Sequence, residues 1–223
     1  MPPQTLRSYY STTIPSLIAV LDVLFASNSN SEGTAAVIKS TIGAIESLIV
    51  AQDFAAWKSR DEKGVQHVFT GYLVANGMDP RPKVRRRVLG AIRTVLMTPP
   101  ANPSGTHPAG DGTATVCFHT VQAQFGQGKK KKGKDGGEKD VKAVHSLHLL
   151  KAVGSAVAWP KSSIRELVEL LLKLCSESYD EIVRLAASEV FQVIFGQACQ
   201  EMNAERLREV IQVSFPLNCS DER

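Results

Sequence analysis

The sequence is poor in aromatic residues and has no long apolar run. Phe, Trp and Tyr make up 6% of its 223 residues, whereas hydrophobic residues as a whole make up 43%. No uninterrupted apolar segment reaches the roughly 18 residues that a membrane span requires. The N-terminus, MPPQTLRSYYSTT, lacks the charged and apolar regions of a secretory signal. These absences predict a soluble intracellular protein that is long enough to bury a core.

Cysteine is also scarce, and its spacing does not suggest a disulfide framework. The four cysteines are Cys117, Cys175, Cys199 and Cys219, and they form no pair with a motif-like spacing. Their surroundings are apolar and helix-like. This distribution favours reduced thiols in a cytosolic or nuclear protein.

A zinc site can be drawn from the sequence, but its spacing disfavours it. Cys117 and His119 precede a long polar loop, and His145 and His148 follow it at positions that share a helix face. Cys-x-His is not a usual zinc half-site, and helix packing accounts for these residues without a metal. We therefore predict no metal site and no cofactor.

The acidic residues do not assemble a recognisable active site. Glu166 and Glu169 fall on a surface face between apolar residues, and Asp61-Glu62 resembles a helix start. No Gly-rich phosphate loop follows a strand, and no set of Ser, His and Asp has a catalytic motif around it. The sequence predicts a non-catalytic protein without a small-molecule substrate.

Strand-like alternation is absent, and apolar residues recur at intervals of three and four along nearly the whole chain, which predicts an all-α fold. The predicted helices are Thr12–Phe25, Thr34–Val50, Glu62–Ala75, Pro82–Met97, Thr113–Phe125, Val141–Ala158, Ser162–Cys175, Asp180–Phe195 and Ala204–Val213. Two segments are predicted as loops, the Pro/Gly-rich residues 98–112 and the flexible Lys/Gly-rich residues 126–140. The remaining connections are short, so consecutive helices are expected to be antiparallel neighbours within one helical-repeat segment, residues 1–223.

Two of the predicted helices share a pattern that indicates an internal repeat. DPRPKVRRRVLGAI starts at Asp79 and YDEIVRLAASEVF starts at Tyr179, and both contain an acidic residue, a short gap and Val-Arg. The apolar positions of each helix fall on one stripe at helical spacing, Val84, Val88, Ile92 and Val95 in the first and Val183, Ala187, Val190 and Ile194 in the second. The arginines of the motif, Arg85 and Arg184, flank these stripes.

An acidic residue followed by Val-Arg and aliphatic residues resembles the second helix of a HEAT repeat. In that family antiparallel helix pairs stack into a solenoid, and Asp and Arg form a ladder between successive repeats. The resemblance implies an α-solenoid of HEAT/armadillo-like helix pairs, about four of them in this chain. It also implies that Asp79, Arg85, Asp180 and Arg184 are structural ladder residues.

Basic residues are concentrated in two clusters, although the net charge of the chain is only +4. The first cluster consists of Arg81, Lys83, Arg86, Arg87 and Arg93. Arg86 and Arg93 are expected to project nearly opposite the apolar stripe, and the repeat helix that starts at Asp180 has no such cluster. The cluster either forms a solvated face or contacts an acidic partner, for which RNA phosphate is the natural candidate.

The second cluster is the run KKKKGK within the predicted loop. Its lysines are Lys129, Lys130, Lys131, Lys132 and Lys134. Three interpretations stay open: a solvated loop tip, a nuclear-import-like signal, or a tether that binds phosphate as diffuse, salt-sensitive charge. Both clusters are candidates for RNA or partner binding.

A closer resemblance extends over most of the chain. The segments LRSYYSTTIPSLIAVLDVL, DPRPKVRRRV and HSLHLLKAVGSAVAWP are similar to the ribosomal RNA-processing protein twelve family, whose members are large eukaryotic HEAT-repeat proteins of the nucleolus. The resemblance implies that the chain is a segment of a longer protein, located in the nucleolus and nucleus. Passage to the cytoplasm stays open, because the family accompanies small-subunit precursors and their export.

This resemblance implies a non-catalytic scaffold that binds pre-ribosomal RNA and assembly proteins of the small-subunit processome in a large complex. Transport factors are further candidate partners, and no membrane partner is expected. The alternative is a nuclear transport-receptor-like adaptor that binds protein cargo or a small GTPase, with the same arginines contacting acidic side chains. The salt dependence of RNA affinity separates these two functions.

Overall fold

The computed structural model describes residues 2–27, 31–59, 61, 64–101, 105–126, 136–176 and 179–201. Within these ranges all regular elements are helical and none is a strand, which confirms the predicted all-α class. The elements are α1 (Pro3–Ala26), α2 (Glu32–Val50), α3 (Phe54–Lys58), α4 (Val65–Val68, continued by a π-helix, Phe69–Val74, and a 3₁₀ turn, Ala75–Met78), α5 (Pro82–Met97), α6 (Gly110–Gly126), α7 (Gly136–Gly154), α8 (Lys161–Leu174) and α9 (Glu181–Glu201). The predicted helix Ala204–Val213 lies outside the described residues. The chain forms two compact units, Met1–Thr113 and Ala114–Arg223.

The first helix starts earlier than the sequence predicted. α1 begins at Pro3 and runs through Pro15, which falls near the start of the predicted helix Thr12–Phe25. Proline is well suited to a helix start, and Pro3 takes that position. An interior proline removes only one backbone donor, so a helix whose Ile14 and Leu21 are buried continues past Pro15 despite that cost.

The region between α2 and α5 differs most from the prediction. A single helix from Glu62 to Ala75 was expected, but the described part of it changes from α-helix to π-helix to 3₁₀. The short helix α3 was missed. Its Asp53 caps the helix by accepting a hydrogen bond from the Ala56 amide at 3.0 Å, and its Trp57 is buried. A helix of five residues is stabilised by its cap and by the burial of Trp57, because it is too short to show a periodicity in the sequence.

Both predicted loops are shorter than expected at their C-terminal ends. α6 begins at Gly110, inside the segment 98–112, and α7 begins at Gly136, inside the segment 126–140. Residues 127–135 are outside the described part of the chain. Once an apolar helix has formed, extending it by one more flanking residue costs little. Polar, glycine-containing residues can therefore join a helix that their composition alone does not predict.

In the first unit, α2 lies beside both α1 and α5. The Arg7 side chain at the start of α1 donates to the carbonyl of Ala51 at the end of α2, so these two helices are antiparallel. Two ion pairs join α2 to α5, Glu32 with Lys83 and Glu46 with Arg87. The pairs follow the same order along both helices, so α2 and α5 run in the same direction. Equivalent helices of successive antiparallel pairs have this relation.

The second unit repeats this relation between α7 and α9. Lys151 pairs with Glu189 at 2.9 Å, and further along both helices the Gln197 side chain donates to the carbonyl of Gly154 at 3.3 Å. The same Gln197 accepts a hydrogen bond from the Trp159 amide at 2.7 Å. One side chain of α9 thus satisfies backbone groups that the end of α7 leaves open.

The apolar stripes predicted for the two repeat helices are confirmed. Val84, Val88, Ile92 and Val95 of α5, and Val183, Ala187, Val190 and Ile194 of α9, are all buried. The two tryptophans, Trp57 and Trp159, are buried as well. Burial of the stripe fixes the rotation of α5 about its axis, and this rotation positions the candidate site.

Among the residues that the structure describes, three helices are long and apolar enough to cross a membrane by length and composition alone: α1, α2 and the part of α9 from Glu181 to Cys199. These helices contain isolated charges, such as Asp22 in α1 and Lys39 in α2, which the criterion of an uninterrupted apolar run excluded. α1 and α2 pack against each other, and α9 packs against α7 and α8. Packing against neighbouring helices therefore buries part of the apolar surface of all three.

A small aromatic cluster joins α3, the π-helix and the segment before α6. The rings of Trp57 and His107 meet edge to face with 4.4 Å between centroids, and the Phe69 ring lies next to both. His107 Nδ1 accepts a hydrogen bond from the Ala109 amide at 3.2 Å. Burial lowers the pKa of His107 to about 4, because the charged imidazolium would lose its hydration.

We expect the Arg87–Glu46 pair to stabilise the first unit. Only 32% of the Arg87 side chain and 13% of the Glu46 side chain are exposed, so removal of one charge leaves the other poorly hydrated. The Glu46→Gln substitution should lower the free energy of unfolding by about 1–2 kcal/mol, between the values for exposed and buried pairs. The measurement is chemical denaturation of the 223-residue chain.

The matched control is Glu169→Gln, which removes the exposed pair with Arg165 within α8. Its effect should stay below about 0.5 kcal/mol. Equal effects of the two substitutions would show that the Arg87–Glu46 pair contributes no more than a surface contact.

His107 should make the folded state sensitive to acid. The pKa of its side chain is about 4 in the fold and 6.5 when unperturbed, so below pH 6.5 the unfolded chain takes up a proton that the folded chain does not. The contribution of neutral His107 to the free energy of unfolding is fully present above pH 6.5. It should decrease by on the order of 1–2 kcal/mol between pH 6.5 and pH 5. The His107→Asn variant keeps a hydrogen-bond acceptor but does not titrate. On acidification its free energy of unfolding should therefore decrease less than that of the parent, by this amount. Parallel denaturation profiles for the two proteins would contradict the assignment.

Candidate nucleic-acid interface

The rotation of α5 exposes two arginines on the side away from its buried stripe. Arg86 and Arg93 are both exposed and lie seven residues apart, which places them on one helix face about 10 Å apart along the axis. Within the described part of the chain, neither guanidinium group forms a hydrogen bond or an ion pair. Both groups are therefore available to an external acidic partner.

Arg81, at the entry to α5, binds a carboxylate of its own chain. Its Nε donates to Asp79 Oδ1 at 3.0 Å and its Nη2 donates to Asp79 Oδ2 at 2.7 Å, in a bidentate arrangement. The two side chains are only 10% and 4% exposed. These hydrogen bonds raise the pKa of Arg81, and its guanidinium group also lies over the Phe25 ring. Arg81 is thus part of the local fold.

Arg87 is likewise engaged within the chain, since it binds Glu46 and packs against Gly43. A Cβ atom at Gly43 would come within 3.0 Å of Arg87 Nη2, so this glycine lets the arginine lie against α2. The phosphate contact predicted for Arg87 would require the guanidinium to leave this half-buried position. We therefore attribute a structural role to Arg87.

Lys83 differs from these two arginines, because its ion pair lies on the surface. Its Nζ is 2.5 Å from Glu32 Oε1, and the two side chains are 67% and 84% exposed. The hydrogen bond from Lys83 lowers the pKa of Glu32. Exposed pairs of this kind contribute little free energy, so Lys83 can exchange Glu32 for another anion at small cost.

The predicted ladder residues of α5 interact within one helix entry. Arg85 Nη1 donates to the backbone carbonyls of Asp79 and Pro80 at 2.7 and 3.2 Å, whereas the Asp79 carboxylate binds Arg81. Burial lowers the pKa of Arg85, and the nearby Asp79 charge partly offsets this. The Asp79 carboxylate is thus occupied by Arg81, which binds it in a bidentate manner. A ladder contact of Asp79 or Arg85 with another repeat stays a prediction.

The ladder residues of α9 form no ion pair with each other either. Asp180 Oδ1 accepts a hydrogen bond from the Ile182 amide at 3.0 Å, as in a helix cap. Arg184 is half-buried, and its Nε has no hydrogen-bond partner within the described residues. A ladder contact of Asp180 or Arg184 with another repeat stays a prediction.

The other candidate residues contribute no further described site. Lys129, Lys130, Lys131, Lys132 and Lys134 lie outside the described residues. Cys117 is buried, which raises the pKa of its thiol to about 12, whereas His119 is exposed and contacts Gln122. His145 is buried and His148 is half-buried. Among the residues that the structure describes, no group of three or more His, Cys, Asp and Glu could hold a metal ion.

Sequence-based reasoning missed the carboxylates that neutralise part of the cluster. Glu32 and Glu46 contact α5 across 51 and 41 residues of chain, and no local signal connects them to it. It also missed Gly90, an exposed residue on the same helix face as Arg86 and Arg93. The spacing of four and three residues around Gly90 was visible in the sequence.

Comparison with known proteins agrees with this helical-repeat architecture. The family model of RRP12-like, N-terminal HEAT repeats matches residues 1–202. Ribosomal RNA-processing protein 12 of Saccharomyces cerevisiae (strain ATCC 204508 / S288c) is 30% identical to the chain over 188 residues. The match covers 80% of the chain and 15% of that relative, so the chain corresponds to a small part of its length. No solved structure gives a significant match.

The family match confirms the expected fold, an α-solenoid built from HEAT-type helix pairs. In such a repeat, equivalent helices of successive pairs run in the same direction, as α2 and α5 do in the first unit and α7 and α9 do in the second. The chain belongs to the family of RRP12-like N-terminal HEAT repeats.

Proposed function

We propose that the chain is part of a non-catalytic scaffold in ribosome biogenesis, which binds pre-ribosomal RNA and assembly proteins of the small-subunit precursor. The name of the yeast relative supports a function in ribosomal RNA processing. The observation that carries the RNA contact is the pair of exposed arginines on α5, Arg86 and Arg93, which have no acidic partner within the described residues.

The chemistry of these arginines suits phosphate. A guanidinium group stays ionised throughout the physiological range and binds two phosphate oxygens through parallel hydrogen bonds. Contacts to phosphate contribute affinity and position but do not read the base sequence. Lys83 would add a third positive charge at the end of the same face after it releases Glu32.

Arg81 and Arg87 would support this surface from within the fold. Arg81 fixes the entry of α5 through Asp79, and Arg87 fixes its flank through Glu46. Neither needs to touch RNA for the surface to form. The lysines of the run 129–134 would add diffuse positive charge that strengthens the attraction to a polyanion at low salt.

Two or three phosphate contacts give only modest affinity, so the surface would act as one of several contacts in a large complex. Contacts that are linked in one long protein reinforce one another through a high effective concentration. A scaffold of this kind needs no nucleophile, general base or cofactor. We place it in the nucleolus and nucleus, with passage to the cytoplasm during export of the precursor.

We expect the double substitution Arg86→Glu and Arg93→Glu to weaken RNA binding by about tenfold or more, because it replaces two phosphate contacts by repulsion. The slope of log affinity against log salt should decrease by about 1.4, since each contact to a single strand contributes about 0.7. The measurement is fluorescence anisotropy of a short labelled single-stranded RNA over a series of salt concentrations.

The matched control is the double substitution Arg165→Glu and Lys173→Glu on α8, which reverses two exposed cations and changes the net charge equally. It should alter affinity and slope much less. If the α5 variant keeps its RNA affinity but loses a protein contact, the transport-receptor-like adaptor is the better function. If both variants weaken binding equally, the chain attracts RNA by net charge alone.

A further inference from the structure

Gly90 lies in the middle of α5, between Arg86 and Arg93. It is exposed, and the three residues follow one another at helical spacing on one face. Apart from its own helix backbone and chain neighbours, a Cβ atom at Gly90 would meet no atom of the described residues within 4 Å, so the space above the helix is open at this point. The two guanidinium groups therefore flank a gap in the side-chain cover of the helix.

The fold itself gives no reason for a glycine at this position. Glycine in a helix interior is destabilising relative to alanine, because the unfolded chain loses more conformational freedom on folding. At Gly43 and Gly154 a Cβ atom would come within 3.0 and 3.1 Å of a neighbouring side chain, so close packing explains both glycines. Gly90 has no such neighbour.

We propose that the sugar–phosphate backbone of an RNA strand crosses α5 at Gly90, with one phosphate bound by Arg86 and another by Arg93. Glycine serves where a ligand must approach the protein backbone closely. A side chain at this point would keep the strand away from the helix and prevent both arginines from reaching phosphate oxygens together. This inference rests on the proposed function, since it specifies how the same surface receives RNA.

Gly196 provides a matched comparison within the same chain. It lies in the interior of α9, is exposed, and a Cβ atom built on it also meets nothing within 4 Å. Residues at the corresponding spacing are Gln192 and Cys199, so no cation flanks this glycine. Substitution of either glycine should affect helix stability in the same way, whereas only Gly90 should affect RNA.

The test compares Gly90→Gln and Gly90→Ala with Gly196→Gln and Gly196→Ala in the full 223-residue chain. Gly90→Gln should lower affinity for a short single-stranded RNA about tenfold, and Gly90→Ala should lower it less. Both Gly196 variants should keep the parent affinity. All four variants should melt at or above the parent temperature, because alanine and glutamine favour helix over glycine.

A second measurement combines Gly90→Gln with the reversal of Arg86 and Arg93. The glutamine should have no further effect once both arginines have been reversed, because the strand no longer binds there. If the arginine reversal weakens RNA binding but Gly90→Gln behaves like Gly196→Gln, the strand path is wrong while the proposed function stands. If the arginine reversal has no effect, both are wrong. A lower melting temperature for Gly90→Gln would overturn the inference too, because it would show that the space is occupied.

Discussion

The structure of the candidate site depends on burial of the apolar stripe of α5. Val84, Val88, Ile92 and Val95 leave the helix no freedom to rotate, because any rotation would bring valine and isoleucine into water. The opposite face is then determined as well. Arg86 and Arg93 are exposed because they lie on the side of α5 opposite the stripe that must be buried. Packing of the α5 stripe into the core thus determines which residues of this helix are exposed on the surface.

Electrostatic pairing divides the basic cluster into two parts. Arg81 and Arg87 lie against carboxylates with little exposure, and they hold the entry and the flank of α5 in place. Arg86 and Arg93 have no such partner within the described residues, so no carboxylate there offsets their charge. A cluster that appears uniform in the sequence therefore contains two arginines with a structural role and two that are accessible. To bind a partner, the first two would have to leave their carboxylates, which costs free energy.

Features that depend on local periodicity were predictable from the sequence. The all-α class, the bounds of α5 and the buried stripes of α5 and α9 follow from apolar spacing alone. Contacts between distant residues were not predictable. The carboxylate of Glu46 neutralises Arg87 only because α2 and α5 lie side by side, and Trp57 stabilises α3 only through burial. The pairing of Arg81 with Asp79 depends on side-chain reach, which a repeat pattern does not specify.

The most direct test of the central claim is ultraviolet crosslinking of the full-length protein within purified small-subunit precursor particles, with the RNA adducts mapped to peptides. If α5 presents its cations to phosphate, RNA adducts should map to the peptide of residues 82–97, around Gly90. Adducts found only on other segments, with this peptide unmodified in intact particles, would contradict the account.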